Sequence, residues 1–351
     1  MTWVTPVRLE ALAKSLLVAA GASESNAACV AESLVSANLA GHDSHGVQKL
    51  PSYVRDIRAG SLEPSALPHI TRESVTTAVV DGMGTFGHVA ASFSVEIAIR
   101  KTRETGMASV STTRCHHTGR IGRWVEKIAD AGFVGIMMGA EAQPPYKVAP
   151  FGGKEGALAT NPIAVAVPRG AAAPPILLDY ATSVVSIGKL QALSARGEAL
   201  PHGWFLDASG NPTNVADDFF DGGVLLPFGG YKGYALGVVA ELLAVGLSSG
   251  DRVPIGQRAS SLFTLALDPA AFRPADEFDA SVRSTASRLK ETRCADAVAD
   301  VLLPGEPETL SRESRAHAIP VPDATWQALM DLGAQLDLDA AAFTSDEQRR
   351  A

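Results

Sequence analysis

Cysteine is scarce in this chain of 351 residues: Cys29, Cys115 and Cys294 stand far apart and are odd in number. That spacing supports neither a disulfide framework nor a cysteine metal motif, and a reducing cytoplasm is the expected setting. Positive charge is also in deficit. With 30 Lys and Arg against 38 Asp and Glu, the net charge of −8 offers no basic field for nucleic acid or an anionic membrane. Long apolar runs are missing too. The greasiest segment, ALGVVAELLAVGL (235–247), is too short to span a bilayer, carries Glu241, and reads as a buried core or interface helix. The segment TPVRLEALAKSLLVAAG is only superficially like a leader. Its Leu9, Leu12, Ala13, Leu16 and Leu17 keep a helical period, with Thr5 as cap, Pro6 as opener and Gly21 as stop. The histidines show neither H-x-x-x-H nor H-E-x-x-H, so no metal site is expected.

What is present is an ordinary α/β composition, 46% hydrophobic and 19% charged, with 32 glycines and 21 prolines. The length predicts one large or two interleaved domains. Residues 5 to about 72 read as helices, the third running through VQKLPSYVRDIRAG. From about 75, short apolar strands alternate with helices: TTAVVDG, MASVSTT, GFVGIMMG, PIAVAVP and PILLDYA, with SLFTLALDP (260–269) joining the same sheet. Two late helices, ASVRSTASRLKETR and ATWQALMDLGAQL, flank a short VLLPGE element. The expected organisation is a helical part (1–74), an α/β cofactor-binding domain (75–270), and a C-terminal segment (271–351) that returns to the helical part. The tail SDEQRRA is expected to fray.

VVDGMGTFGH (79–88) contains a G-x-G-x-x-G between a strand and a helix, the setting of a dinucleotide fingerprint. The fingerprint also needs an acid about 20 residues on. Here that region is GMASVSTTRCHHTGR, without Asp or Glu; Arg114 is available to replace the acid toward a 2′-phosphate, but the motif is common in glycine-rich chains, and a tight turn with close helix–strand approach is the expected reading.

Other segments carry more chemistry. GHDSHGVQKLPSYV sets Ser44 beside His45, and a helix beginning near Gly46 would put His45, Lys49 and Tyr53 on one face. An imidazole suits proton transfer near neutral pH, and an ammonium with a phenol suits a carboxylate; capping by His42, Asp43 and Ser44 is the plainer alternative. CHHTGRIGRW (115–124) pairs two histidines with a loop that opens a helix, where backbone N–H groups, Arg120 and Arg123 suit an anion. The plainer alternative there is one buried, hydrogen-bonded histidine. APFGGKEGALATNP and LLPFGGYKGYALG share a Pro-Phe-Gly-Gly turn followed by Lys154 and Lys232. LLDYATSVVSIGK places Asp179 after a strand, to orient a histidine, take ribose hydroxyls or cap a helix.

In this order, DSHGVQKLPSY, HHTGRIG, VAPFGG…ATNP, LLDYATSVVSIGK, PFGGYKGYAL and LLPGE resemble the malate/L-lactate dehydrogenase-like family, most of all its hydroxycarboxylate dehydrogenase B subgroup. The resemblance implies a mixed-sheet, non-Rossmann nucleotide-binding domain with a helical domain from both chain ends, and a homodimer. It implies reversible reduction of a 2-oxo acid to a 2-hydroxy acid with NAD(P)H, no metal, and glycines 82–87 as a structural turn. Ser44 and His45 match the catalytic pair, with His45 as proton donor; His117 matches a proton acceptor in the ureidoglycolate branch. Lys49, Tyr53, Thr160 and Arg120 are the implied substrate contacts. His117, Thr118, Gly119, Arg120 and Ile121 match one cofactor loop, and Asp179, Tyr180 and Ala181 a second. Tyr231 and Lys232 match a third, and Gly305 and Glu306 a fourth.

Two departures bear on specificity. Lys49 stands where many members have arginine, which replaces a bidentate clamp by a point charge and puts a dicarboxylate preference in doubt. Pro307 and Glu308 stand where basic residues are common, which favours NAD, with NADP as the alternative. Reduction of a cyclic imine carboxylate, oxidation of ureidoglycolate, a metal-dependent hydrolase and a silent cofactor-binding module are the competing expectations.

Overall fold

A computed structural model describes residues 1–170, 173–195, 200–253 and 260–343; the tail SDEQRRA lies outside them. The chain opens with β1 (Thr2–Val4), α1 (Pro6–Ala19) and α2 (Glu24–Leu39). The Thr5 side chain accepts from the Arg8 N–H, which caps α1 as its sequence predicts. Two 3-10 turns, Asp43–His45 and Val47–Lys49, lead into α3 (Leu50–Arg58). The expected continuous helix from Gly46 is therefore broken. Gly46 is extended, at φ −89° and ψ −156°, and only a residue without Cβ fits there against the Asn38 side chain of α2.

The α/β unit contains β2 (His69–Glu73), β3 (Thr77–Asp81), α4 (Gly87–Thr105), β4 (Met107–Cys115), α5 (Gly122–Asp130), β5 (Val134–Glu141), β6 (Ile163–Val167) and β7 (Ile176–Tyr180). A lobe follows with α6 (Ile187–Ala195), β8 (Phe205–Leu206), β9 (Pro212–Thr213), α7 (Ala216–Phe220), β10 (Val224–Leu225) and α8 (Tyr231–Glu241). Helix α8 runs on into a π-helical turn at Leu242–Gly246. After it come β11 (Ser260–Leu267), α9 (Ala275–Lys290), α10 (Glu306–Arg315), β12 (Ile319–Val321) and α11 (Asp323–Gln335).

The main sheet has seven strands in the order β2-β3-β4-β11-β5-β6-β7. Among the described residues of this sheet only β3 and β4 run parallel; every other neighbouring pair is antiparallel. This mixed sheet is not the parallel, doubly wound sheet of a Rossmann domain. Strand β11 enters its centre from far along the chain, as the apolar run at 260–269 predicts.

Among the described residues the two largest cores belong to the helical layer and the main sheet, and a smaller one, with Leu190, Phe205 and Phe219, fills the lobe. The first joins Leu9, Leu16, Leu34 and Leu50 to Ile319, Val321 and Leu329, so both chain ends build the helical layer. The antiparallel pairing of β1 with β12 ties those ends together. The second sets Val80, Val110, Trp124, Ile128, Met137 and Leu262 between the sheet and its helices α4 and α5. The return to the helical layer is made by β12 and α11. Helix α9 buries only Ala286. Among the described residues no helix is long and apolar enough to cross a membrane.

The G-x-G-x-x-G turn runs along the end of β4. Its N–H groups are spent inside the protein: Gly82 donates to Thr113 O at 2.8 Å and Gly84 to Arg114 O at 2.7 Å. Met83 donates to Asp81 Oδ1 at 2.8 Å. The donors that would cradle a pyrophosphate are thus committed to the sheet, and the turn is structural.

Candidate active site

His45 ends the first 3-10 turn, and its Nδ1 lies 3.0 Å from Ser44 Oγ. The turn is held from three sides. Asn38 donates from Nδ2 to Asp43 Oδ1 at 2.6 Å, and Arg315 of α10 donates to the same oxygen at 2.8 Å. Gly188, at the start of α6, closes over Ser44; a Cβ there would sit 2.6 Å from the serine Cβ. His117 reaches the same place from the loop after β4. The His45 and His117 rings are nearly parallel, 19° apart in plane, with centroids at 5.7 Å.

Both histidines line a cleft of about 120 Å³, together with Gly119, Ile121, Thr160 and Asn161. Ligands of drug size occupy roughly 300–1,000 Å³, so the cleft fits the reacting end of a small molecule rather than a whole dinucleotide. A larger hollow of about 540 Å³ lies at the opposite ends of the strands, beside Pro168–Gly170 and Asp279. Among the described residues no three His, Cys, Asp or Glu side chains converge as a metal site.

Burial lowers the proton affinity of these imidazoles. His45 is pushed down to about 4, first by burial and then by the Lys49 ammonium, His42 and Arg120. His117 is held well below the ordinary value by burial and by its neighbours His45 and Lys49. His88, fully buried behind Gly119, is pushed down to about 3 by burial. Neither His88 ring nitrogen has a hydrogen-bond partner among the described residues. An unfolded histidine titrates near 6.5. Between that value and the folded ones, the unfolded chain binds more protons than the native state. Stability is therefore full above about pH 6.5 and falls as the pH drops through 6 and 5. A calorimetric Tm should decrease steadily from pH 7 to pH 5; a flat Tm over that interval would contradict the burial of these rings.

Other expected contacts are placed differently. Tyr53 is 1% exposed and meets His117 instead of sharing an open face with Lys49; its Oη is 2.7 Å from His117 Nδ1. The Arg120 guanidinium is buried, with Nη1 and Nη2 each 3.0 Å from the two Glu126 oxygens and Nε 3.5 Å from Asp179 Oδ2. Arg120 is thus occupied by two carboxylates of the protein and is not placed to anchor a third. Asp179 Oδ2 accepts the Gly122 N–H at 2.9 Å, which caps α5, the plainest of its three expected roles. Lys49 is half-buried near His45, and Thr160 lines the cleft while its carbonyl accepts from Thr182 N–H at 2.9 Å. His116 turns away and pairs with Asp56 of α3 at 3.0 Å, so the adjacent histidines divide into one structural ring and one facing the cleft.

Three of the four expected cofactor loops lie around the end of β7, and the fourth packs against its first residues. Asp179 touches the His117–Gly122 loop, and Leu177 N–H donates to Pro304 O at 3.0 Å. Phe228 N–H, before α8, donates to Thr182 O at 3.0 Å. Glycine is needed at the crossings: Gly119 has φ +75° and Gly305 φ +94°, and a Cβ on Gly119 would lie 2.5 Å from His88 Nε2. Tyr180, Tyr231 and Lys232 stand exposed around these crossings.

Helix α10 supplies residues that the sequence reading missed. Arg312 reaches Glu126 at 2.6 Å and Arg315 holds Asp43; Glu308, already singled out in the sequence, lies 3.1 Å from His42 Nε2. The signal was present: GEPETLSRESR has a glycine, then acids and proline in a first turn, then arginines in the last.

Comparison with known proteins agrees with this architecture. The chain is 37% identical over 334 residues to an L-lactate dehydrogenase of Cupriavidus necator, covering 93% of this chain and 96% of that one. It is 36% identical over 328 residues to hydroxycarboxylate dehydrogenase B of Escherichia coli, covering 91% and 90%. The solved malate dehydrogenase of Pyrococcus horikoshii superposes with a TM-score of 0.85 at 32% identity, over 95% of each chain. The family model for malate/L-lactate dehydrogenase matches residues 4–330, a span that takes in the histidine cleft, all seven strands of the mixed sheet and both ends of the helical layer. The chain belongs to the malate/L-lactate dehydrogenase family.

Proposed function

We propose that this protein interconverts a 2-oxo acid and a 2-hydroxy acid with a nicotinamide cofactor, with His45 as the proton carrier. The observation that carries the reading is the paired imidazoles, 5.7 Å apart, in a small cleft lined by the glycine-bearing Thr118–Ile121 loop. Thr118–Ile121, Asp179–Ala181, Tyr231–Lys232 and Gly305–Glu306 would hold the dinucleotide, whose nicotinamide supplies or accepts the hydride when bound. His45 does the acid–base work. Its Nε2 gives a proton to the carbonyl oxygen in reduction and takes it back in oxidation, while Ser44 Oγ accepts from Nδ1 in both states. The depressed proton affinity of His45 means that the ligand-free site rests in its base form, ready for a hydroxy acid. A substrate carboxylate near Lys49 offsets that ammonium and restores the acid form needed for reduction.

Two finer readings have support. Glu308 follows the Gly305 loop in the first turn of α10, where a carboxylate opposes a 2′-phosphate, which favours NAD over NADP. Val239, Leu242 and Leu247 form an exposed apolar stripe along α8 and the turn after it, which favours a homodimer. A monomer in sedimentation would remove the dimer reading.

The test is a panel of pyruvate, oxaloacetate, 2-oxoglutarate and phenylpyruvate with each reduced cofactor, followed by loss of nicotinamide absorbance. Turnover of at least one acid, faster with NADH, is expected. No turnover of any acid, with tight NADH binding, would favour a silent binding module.

A further inference from the structure

The proposed function leaves the second imidazole of the cleft without a task, and its hydrogen bond supplies one. Tyr53 Oη and His117 Nδ1 are 2.7 Å apart. A phenol is a good donor, and a neutral imidazole nitrogen accepts far more readily than a phenol oxygen, so the hydroxyl donates and Nδ1 accepts. A neutral imidazole carries one ring proton, which then sits on Nε2, the nitrogen left for the cleft. His45 has the opposite arrangement: to act as a base it keeps its proton on Nδ1, toward Ser44, and leaves Nε2 bare. Two rings this close cannot both become cations in a buried site, so one proton carrier is the limit.

We infer that His117 acts as a neutral hydrogen-bond donor to the substrate's carbonyl oxygen, and that Tyr53 is the positioning residue that fixes its tautomer. The inference rests on reading the cleft as a 2-oxo acid reductase site. In reduction, the carbonyl carbon gains the hydride and the C=O π pair moves onto oxygen. His45 Nε2 gives its proton to that oxygen. His117 keeps its own proton throughout and lends an N–H to the charge that builds on oxygen, as a preorganised donor does. Packing holds the phenol in place: the Tyr53 ring meets Phe86, His88 and His116 edge-on, with centroids at 5.9, 5.7 and 5.9 Å. Phenylalanine at this position keeps those contacts and loses only the hydroxyl.

Three variants of the full-length enzyme test this: Tyr53→Phe, His117→Asn and His117→Ala. Asparagine retains an N–H donor but cannot carry a proton. His117→Ala should lower kcat by about 100-fold, the usual effect of losing one preorganised donor, and His117→Asn by only about 10-fold. Tyr53→Phe should lower kcat by about 10-fold while KM for NADH stays within about 2-fold, because the donor is displaced and the cofactor loop is not. Nitrogen-15 NMR of the wild-type histidine rings should report the Nε2–H tautomer for His117, giving way to a mixture in Tyr53→Phe. Asparagine as inactive as alanine, or an Nδ1–H tautomer in the wild type, would overturn the inference. If the wild type reduces no 2-oxo acid, the proposed function fails, while the tautomer still judges the Tyr53–His117 pair by itself.

Discussion

His45→Ala is expected to lower turnover in both directions by about 10³-fold while NADH binding, followed by fluorescence, stays within about 3-fold. A positioned general acid–base contributes roughly 10²–10⁴ to a proton transfer, and the family chemistry needs one proton for each hydride. The size of the effect depends on what could replace the ring. Ser44 cannot, because a hydroxyl is too weak an acid and base near neutral pH. His117 cannot readily do so, because its Nδ1 is bonded to Tyr53 and burial keeps it neutral. Lys49 is a cation of a different reach and serves the carboxylate in this reading. The variant should also keep its fold, since His45 ends a short 3-10 turn and its ring faces a cleft rather than a core. Retained turnover would transfer the proton to His117 and remove the division of labour between the two rings.

Much of the fold was legible because the apolar period is strong where layers pack. The helices α1, α4 and α5, and the strands β3 to β7 and β11, follow their apolar patterns to within a few residues. Strand β2 was not legible: His69–Glu73 is almost wholly exposed at the sheet edge, so it has no buried face to create an alternation. Helix α10 begins after a glycine in the left-handed region and buries no residue fully, so it too lacks an apolar signal. For the site, the segments could be read but not their partners. A four-residue spacing suggested that Lys49 and Tyr53 share one function. Packing against Phe86, His88 and His116 turns Tyr53 into the protein instead. Arg120 looked like a solvent-facing anion clamp because Glu126 and Asp179, its partners, stand 6 and 59 residues further along the chain. Which charge meets which is decided by tertiary contact, and no local pattern carries it.

The glycine motif that resembles a nucleotide fingerprint should prove essential for another reason. Gly87→Ala is expected to cost the protein either about 3 kcal/mol of stability or its turnover, although residue 87 touches no substrate. Gly87 is the last glycine of G-x-G-x-x-G and the first residue of α4. A Cβ there would strike His116 O and lie 2.6 Å from His117 C. Those are backbone atoms of the segment that delivers His117 to the cleft, so the clash cannot be relieved by turning a side chain. The segment is also fixed from the other side, where His116 N–H donates to Thr85 O at 2.9 Å and His116 pairs with Asp56. Either α4 moves away from β4, opening the core around Val95 and Val110, or the His116–His117 backbone moves and carries the imidazole out of register with His45. The first outcome appears as a lower urea midpoint; the second, as a near-native midpoint with kcat lost. Gly84→Ala is the control, because Gly84 faces only the Glu63 side chain at 3.4 Å; it has φ +73°, so a modest strain and active enzyme are expected. A Gly87→Ala protein with native stability and native kcat would mean that the close approach of this turn to the catalytic loop is not what the glycine is for.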